Sequence, residues 1–262
     1  MVTLAIRNDF AAVQRLLDAG AQGARRAVRE ALNRTAEWAE TDARRELRKV
    51  FDRPTPYTLR SLRVYYASTA NLEARLWFKQ RSRDEDDRWA TAQIAGGQRA
   101  VKPFEQRLQR AGLMPRGWLA VPGEGMPRDA YGNINRGELS RILNVLGTFQ
   151  EAGFNKADFR TRERLRKGTK TAYGFAYWVN PVGSKNIHIP PGVYRRVYTG
   201  FGTSLKPMIV FVSEARYKPR LPFASIVRAA MAKHFEPEFA KAWADVQAGR
   251  SPSAGRRARR VQ

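Results

Sequence analysis

One stretch near the start of the chain restricts the fold most strongly. Over residues 21 to 51, apolar or small side chains recur every three or four positions, and Pro54-Thr55-Pro56 follows. That spacing places them on one face of a helix, and prolines end helices. The pattern predicts a single long amphipathic helix. Its apolar stripe would consist of Val28, Leu32, Thr35, Ala39, Ala43, Leu47 and Val50.

Strand patterns lie on both sides of this helix. Residues 2–7 alternate between apolar and smaller or polar side chains, which predicts a short strand, and Asn8 or Asp9 would then cap a helix that ends near Gly20. The β-rich runs 64–68 and 72–78 are separated by a three-residue polar turn. Two such runs around a short turn predict an antiparallel hairpin.

The second half of the chain mixes both kinds of element. Helices are predicted over residues 101–111 and 136–150, and a final helix is predicted over 223–247. Strands are predicted over 173–179, 186–189, 193–194 and 207–212. The apolar side of the final helix would carry Ile226, Ala230, Phe235, Phe239 and Trp243, and Pro237 is expected to bend it.

These patterns predict an α+β protein in which a small antiparallel sheet is flanked by long N-terminal and C-terminal helices. Residues 1–80 and 171–248 would form a discontinuous core. Residues 81–170 are rich in glycine, proline and charge, and we expect a long irregular insertion with short helices and loops. Residues 249–262 contain five arginines and no acid, which predicts a flexible basic tail.

Composition argues against most catalytic chemistry. The 262 residues include no cysteine and only two histidines, His188 and His234, and hydrophobic residues reach 43%. Glu73 and Lys79 loosely resemble nuclease strands but lack the close spacing such strands have, so a structural role is favoured. No apolar run approaches the roughly 20 residues of a membrane span, and no secretory signal is visible. We therefore expect a folded, non-enzymatic protein with no cofactor, no metal site and no membrane partner.

Charge points to an anionic partner. The chain has 48 Lys and Arg against 24 Asp and Glu, a net charge of +24. Such an excess favours nucleic acid or the acidic faces of other subunits. Residues 155–170 hold seven basic and two acidic residues and are predicted to be an exposed basic segment. The candidate contacts to nucleic acid or an acidic partner are Arg160, Arg162, Arg164, Arg166, Lys167, Lys170, Arg256, Arg257, Arg259 and Arg260.

Large aromatic side chains are the candidates for subunit contacts. Tryptophan is common both in protein cores and as an anchor at interfaces, and the sequence does not separate the two roles. The default for Trp118, Trp178 and Trp243 is the core. The candidate subunit contacts are Trp118, Tyr194 and Trp243.

Four stretches carry a family resemblance. They are Ala-Leu-Asn-Arg-Thr-Ala at residues 31–36, the basic turn and paired strands at 59–76, Ile-Pro-Pro-Gly-Val-Tyr at 189–194, and Tyr-Lys-Pro-Arg-Leu-Pro-Phe at 217–223. In this order they resemble the minor tail protein Z family of lambda-like bacteriophages. More loosely, they resemble tail-completion and neck proteins with a helix–sheet–helix layout. Residues 80–170 depart from the family as a long insertion.

The resemblance implies a structural protein of the virion that completes the tail or joins it to the head, as part of an oligomeric ring near the DNA channel. Its partners would be other tail or neck proteins, further copies of the chain and packaged DNA. Its location would be the virion, and the host cytoplasm during assembly. The alternative is a cytosolic nucleic-acid-binding protein with no virion role.

Overall fold

The computed structural model describes residues 3–6, 22–79, 88–148, 157–185 and 188–251, with only the backbone described at 3–6, 88 and 89. The chain forms two compact units. Unit 1 comprises residues 1–97 and 217–262, and unit 2 comprises residues 98–216. Two short strands, β4 (Gly97–Gln98) and β9 (Arg216–Tyr217), pair where the chain passes from one unit to the other.

Unit 1 has the predicted helix–sheet–helix order. Its elements are β1 (Thr3–Ile6), α1 (Gln22–Val50), α2 (Pro56–Leu59), β2 (Leu62–Tyr65), β3 (Ala74–Phe78), α3 (Arg88–Ile94) and α7 (Phe223–Gln247). The antiparallel sheet has the order β1-β3-β2. The two long helices and the β2–β3 hairpin are confirmed, although residues 66–73 make the connection longer than the predicted turn.

The core of unit 1 lies between α1, α7 and the sheet. Six alanines of α1 are buried, and such small side chains let another element approach the helix closely. The predicted stripe of α1 is confirmed except at Val50, which is only half-buried. Leu76 and Phe78 from the sheet and Phe235 from α7 join the same core. The rings of Phe78 and Phe223 are 5.2 Å apart.

Polar contacts complete this packing. The amide of Asn33 on α1 is buried and bonds the backbone of Ala67 twice, accepting from its N–H at 2.7 Å and donating to its carbonyl at 3.2 Å. Glu238 on α7 accepts hydrogen bonds from Arg34 and Trp38 on α1, each at 3.4 Å. His234 stacks on Trp38 with ring centroids 4.8 Å apart, so its imidazole belongs to the contact between the two helices.

Unit 2 is built on a four-stranded antiparallel sheet. Its elements are α4 (Pro103–Arg110), β5 (Leu119–Pro122), α5 (Arg136–Val145), α6 (Phe159–Lys167), β6 (Phe175–Asn180), β7 (Gly192–Thr199) and β8 (Gly202–Val212). The strand order is β5-β8-β7-β6. One face of the sheet, with Val193 and Ile209, packs against buried side chains of α4 and α5 that include Leu108 and Ile142. The α+β class is thus confirmed, and each unit has its own core.

The predicted domain boundaries were wrong. Residues 171–216 were expected to join the N-terminal core, but their strands pair with β5 and bury their apolar face within unit 2. His188 and Ile189 lie outside any strand, since β7 begins at Gly192. The basic segment at 155–170 contains the helix α6, and the expected irregular insertion at 81–170 also contains the strand β5.

Several expectations concern residues outside the described ranges. They are the helix after Asn8 and the tail from 252 onward. Among the residues that the structure does describe, none of the helices has the length and apolarity needed to cross a bilayer.

Candidate nucleic-acid interface

Helix α6 carries five of the ten predicted basic residues. The carboxylate of Asp158 caps its first turn by accepting a hydrogen bond from the Thr161 N–H at 2.7 Å, and this bonding lowers the pKa of Asp158. The helix ends at Gly168, whose φ of 72° suits a glycine. A cap at each end explains how nine residues with almost no apolar stripe form a helix beside the sheet.

Helical spacing separates the cations of α6 into two rows. Arg160, Arg164 and Lys167 are four and three residues apart, so they share one face. All three are exposed, and none forms a salt bridge within the described part of the chain. Arg162 and Arg166 form the second row, and Arg166 lies 3.9 Å from Glu163. Within the described residues, the first row therefore carries three positive charges without a salt bridge, and the charge of Arg164 contributes to the lowered pKa of Asp158.

Two glycines bring the end of α6 against the sheet. A Cβ at Gly174 would overlap the carbonyl oxygen of Arg166, and a Cβ at Gly168 would overlap the backbone of Gly174. The Gly174 carbonyl accepts a hydrogen bond from the Tyr198 N–H of β7 at 2.8 Å. The backbone approach permitted by these glycines thus links the last turn of α6 to the strand that carries Tyr198.

Two arginine–aromatic pairs lie here, one between α6 and β7 and the other between β7 and β6. The Arg166 guanidinium lies over the Tyr198 ring at 5.7 Å, and the Arg196 guanidinium lies over the Trp178 ring at 6.0 Å. Trp178 is directly opposite Tyr194 across the β6–β7 ladder, and side chains two residues apart on a strand share a face. Trp178, Arg196 and Tyr198 therefore lie on one face of the sheet, with Arg166 added from α6.

On the opposite face, two arginines share one carboxylate. Glu138, which is 7% exposed, accepts a hydrogen bond from the Tyr177 hydroxyl at 2.6 Å and one from Arg141 at 2.9 Å. Arg195 lies 3.6 Å from the same carboxylate and over the ring of Phe175. Burial, with the hydrogen bond and charge of Glu138, raises the pKa of Tyr177 well above its ordinary value. This cluster fixes α5 to the sheet.

A cavity of about 320 Å³ opens between α5, α6 and β6. Its walls are mostly apolar, and Arg162 and Tyr177 supply its polar groups; the other lining residues are Val145, Leu146, Leu165, Phe175 and Ala176. Within the described ranges, no three His, Asp or Glu side chains come together in an arrangement that could hold a metal ion. The cavity offers apolar surface and one guanidinium.

A phenylalanine stands at the tip of the β7–β8 hairpin. Phe201 lies between Gly200 and Gly202 and is completely exposed. Thr199 closes the turn by donating a hydrogen bond from its hydroxyl to the Gly202 carbonyl at 2.9 Å. β5 pairs only with Ile209–Val212 of β8, so the hairpin extends beyond the rest of the sheet. Phe201 contributes no packing to the unit that carries it.

The remaining candidate residues have varied positions. Lys170 is exposed in the turn after α6. Trp118 packs on the core of unit 2 and Trp243 stacks on Phe239 of α7, and both are half-buried. The tail arginines Arg256, Arg257, Arg259 and Arg260 lie outside the described residues.

The expectation that Tyr194 contacts another subunit was wrong. Its side chain is 4% exposed, and its hydroxyl donates to the Pro190 carbonyl at 2.6 Å. The register with β8 shifts between Val193 and Tyr194. This irregularity interrupts the alternation of buried and exposed side chains along β7, and the side chains of Val193 and Tyr194 are both buried.

Sequence reasoning missed Arg196, Tyr198 and Phe201. The run Tyr194-Arg195-Arg196-Val197-Tyr198 places arginine next to aromatic residues in a strand, and this was the available signal. No local pattern shows that α6 approaches the same strand. The chain matches no protein-family model, no curated protein and no solved structure. The proposed function therefore rests on the surfaces of this chain and on the family resemblance of its sequence.

Proposed function

We propose that the chain is a structural protein of a tailed bacteriophage virion. It would act in tail completion or head–tail joining, as one subunit of an oligomeric ring near the DNA channel. The proposal excludes an enzymatic role and assigns the chain other tail or neck proteins and further copies of itself as partners. During assembly it would be in the host cytoplasm.

The observation that carries an assembly role is the exposed tip of the β7–β8 hairpin. A buried phenylalanine is worth about 1.5–3 kcal/mol relative to an exposed one, and Phe201 gains none of this within its own unit. An aromatic side chain at the end of a projecting hairpin suits insertion into a pocket of a neighbouring subunit. Repetition of one such head-to-tail contact generates a ring when the rotation closes.

The layout of unit 1 supports the phage assignment. The resemblance implies a small sheet flanked by long N-terminal and C-terminal helices, and in unit 1 the helices α1 and α7 share one core with the β1-β3-β2 sheet. The stretch at 31–36, which carries part of the resemblance, lies in the buried portion of α1. The net charge of +24 suits a position beside packaged DNA.

The proposal is tested by mass spectrometry of purified virions from the phage or induced prophage that encodes this chain. Virions would be separated into heads and tails first. We expect the chain at a fixed stoichiometry in the tail or neck fraction. Absence from virions overturns the proposal, and recovery on nucleic acid in the cytosol would then favour the alternative, a cytosolic nucleic-acid-binding protein. The exposed row of cations on α6, formed by Arg160, Arg164 and Lys167, is the observation that favours this alternative.

A further inference from the structure

We infer that unit 2 binds the phosphate backbone of duplex DNA through a defined set of cations, here called the arginine surface. It consists of Arg160, Arg164, Arg166, Lys167 and Arg196. Arg166, on α6, lies over Tyr198, and Tyr198 is two residues from Arg196 on the same face of β7, so the second row of α6 adjoins the strand. The first row follows another side of the same helix. The inference rests on the proposed function, which places the chain near packaged DNA, and it names the chemical partner and the residues.

The exposed row of α6 supplies free charge. Arg160, Arg164 and Lys167 span about 10 Å along the helix axis at 1.5 Å per residue. Over that length, duplex DNA carries roughly six phosphate charges. The helix backbone fixes the spacing of these three cations along its axis. Only Asp158 and Glu163 dilute the charge of residues 157–170.

The two arginines that lie over aromatic rings provide guanidinium groups in fixed positions. A guanidinium over an aromatic ring is attracted to the ring face and held there, while its N–H groups lie in its own plane. Those donors match the oxygens of a phosphate in a two-point arrangement. Arg166 and Arg196 are held in this way on Tyr198 and Trp178. They are ordered before any phosphate arrives.

The same pairs favour a duplex over a single strand. Proteins that bind single strands stack bases on open aromatic faces. Here a guanidinium already covers one face of Tyr198 and of Trp178, and both rings are half-buried. The surface therefore offers N–H donors to phosphates and little open ring to bases. Arg195 does not belong to it, because Arg195 lies on the other face of the sheet, 3.6 Å from Glu138.

The first test measures fluorescence anisotropy of a labelled duplex of about 20 base pairs with the full-length protein over a range of salt concentrations. The R160A/R164A/K167A variant removes the exposed row. The control variant R45A/K49A/R250A removes three exposed cations of unit 1, each of which has an acidic partner. Both variants lose the same formal charge and should melt at the wild-type temperature.

We expect the row variant to reduce the slope of log Kd against log salt by roughly 0.9 for each lost contact, or about 2.7 in all. The control variant should keep the wild-type slope within about one third of that change. Equal losses in the two variants, or no binding of the wild type at low salt, would overturn the inference. So would tighter binding to the matching single strand, or equal competition by polyglutamate.

A second test separates geometry from charge. The R166K/R196K variant keeps both charges but loses the planar, stacked guanidinium groups. We expect Kd for the duplex to rise at least threefold at constant salt, with the slope nearly unchanged. Wild-type affinity in this variant would show that Arg166 and Arg196 do not belong to the arginine surface.

The two proposals fail separately. Binding by the purified protein does not depend on virions, and the presence of the chain in virions does not depend on this surface. Loss of in vitro binding with the chain still in the tail fraction overturns the inference alone. Salt-dependent duplex binding by a chain that is absent from virions overturns the proposed function, and the inference then loses the setting on which it rests.

Discussion

Arg99 and Glu105 form a two-point ion pair in the interior of unit 2. Arg99 Nη1 lies 2.9 Å from Glu105 Oε2, and Nη2 bonds Oε1. The same carboxylate accepts the backbone N–H of Lys102 at 2.6 Å and that of Ala120 at 2.8 Å. Glu105 has no exposed surface, and Arg99 also donates to the Ala120 carbonyl at 3.0 Å. One carboxylate thus joins the start of unit 2, α4 and β5.

The Glu105→Ala substitution should lower the free energy of unfolding by about 3–5 kcal/mol, because it leaves a buried guanidinium without its anion. Urea unfolding followed by circular dichroism measures the change. Glu124→Ala removes an exposed acid from the same unit and should stay within about 0.5 kcal/mol of wild type. A loss of unfolding free energy below about 1 kcal/mol for Glu105→Ala would contradict the prediction. It would mean that the attraction between Arg99 and Glu105 only offsets the cost of removing both charges from water.

The Asn33→Ala substitution should cost about 2–3 kcal/mol, because the buried N–H and carbonyl of Ala67 both lose their partner. Hydrogen exchange gives a local readout, since the Ala67 amide should exchange faster in the variant. Thr41→Ala, on an exposed position of α1, is the matched control. Unchanged exchange at Ala67 would show that water or another group replaces the asparagine.

The Tyr177→Phe substitution should change how stability depends on pH. The pKa of Tyr177 is raised in the folded chain, so only the unfolded chain releases this proton near pH 10. The contribution of Tyr177 is therefore complete below about pH 10 and is lost as pH rises toward the folded pKa.

Urea unfolding from pH 7 to about pH 11 should show the wild type more stable than Tyr177→Phe by about 1–3 kcal/mol at neutral pH. The difference should narrow at the alkaline end, by up to about 1.4 kcal/mol for each pH unit. The Tyr57→Phe variant, at an exposed tyrosine, controls for alkaline titration elsewhere. A difference that stays constant with pH contradicts the prediction.

The Phe201→Ser substitution separates folding from assembly. Because Phe201 is completely exposed, thermal unfolding of the isolated chain should shift by less than about 0.5 kcal/mol in free energy. In the phage, complementation with this variant should yield fewer completed particles than the wild type. Tyr131→Ser, at a partly exposed tyrosine elsewhere in unit 2, is the comparison. Wild-type particle yield with Phe201→Ser would remove the hairpin tip from the assembly contacts.

The Gly174→Ala substitution should separate α6 from the sheet, because the new Cβ would occupy the space of the Arg166 carbonyl oxygen. We expect a loss of stability of about 1–3 kcal/mol. Gly183→Ala is the comparison, since a Cβ there meets no other atom but is strained by a φ of 80°. An unchanged melting temperature for Gly174→Ala would show that α6 can move away from the sheet without a loss of stability.

The period of the apolar side chains predicted the two long helices, whose buried faces depend directly on that period. The stripe from Val28 to Leu47 has one repeat along a continuous helix, and α7 begins and ends where its pattern predicts. Helix α6 was missed because its nine residues contain little apolar surface, and its ends depend on Asp158 and Gly168 more than on a repeat. Its stability depends on capping and on contact with β6, and periodicity measures neither.

Long-range pairing explains the remaining errors. Strand β8 pairs with β5, about 90 residues earlier in the chain, and no local pattern specifies that partner. The basic residues of the candidate interface were predictable as a class because their charge is local. The positions of Arg166 and Arg196 over aromatic rings depend on two glycines and a strand register, and so on the assembled sheet.

The division of unit 1 between the two ends of the chain sets an order of events during synthesis. The buried face of α1 packs against α7, and residues 223–247 leave the ribosome after the whole of unit 2. Unit 2 has its own core and can fold while the part of α1 that packs on α7 is still uncovered. Until then, α1 can be covered by the β1-β3-β2 sheet but not by α7. At about 5–20 residues per second, that interval lasts roughly 10–40 seconds. The nascent chain therefore carries α1 without its C-terminal partner helix for most of its translation.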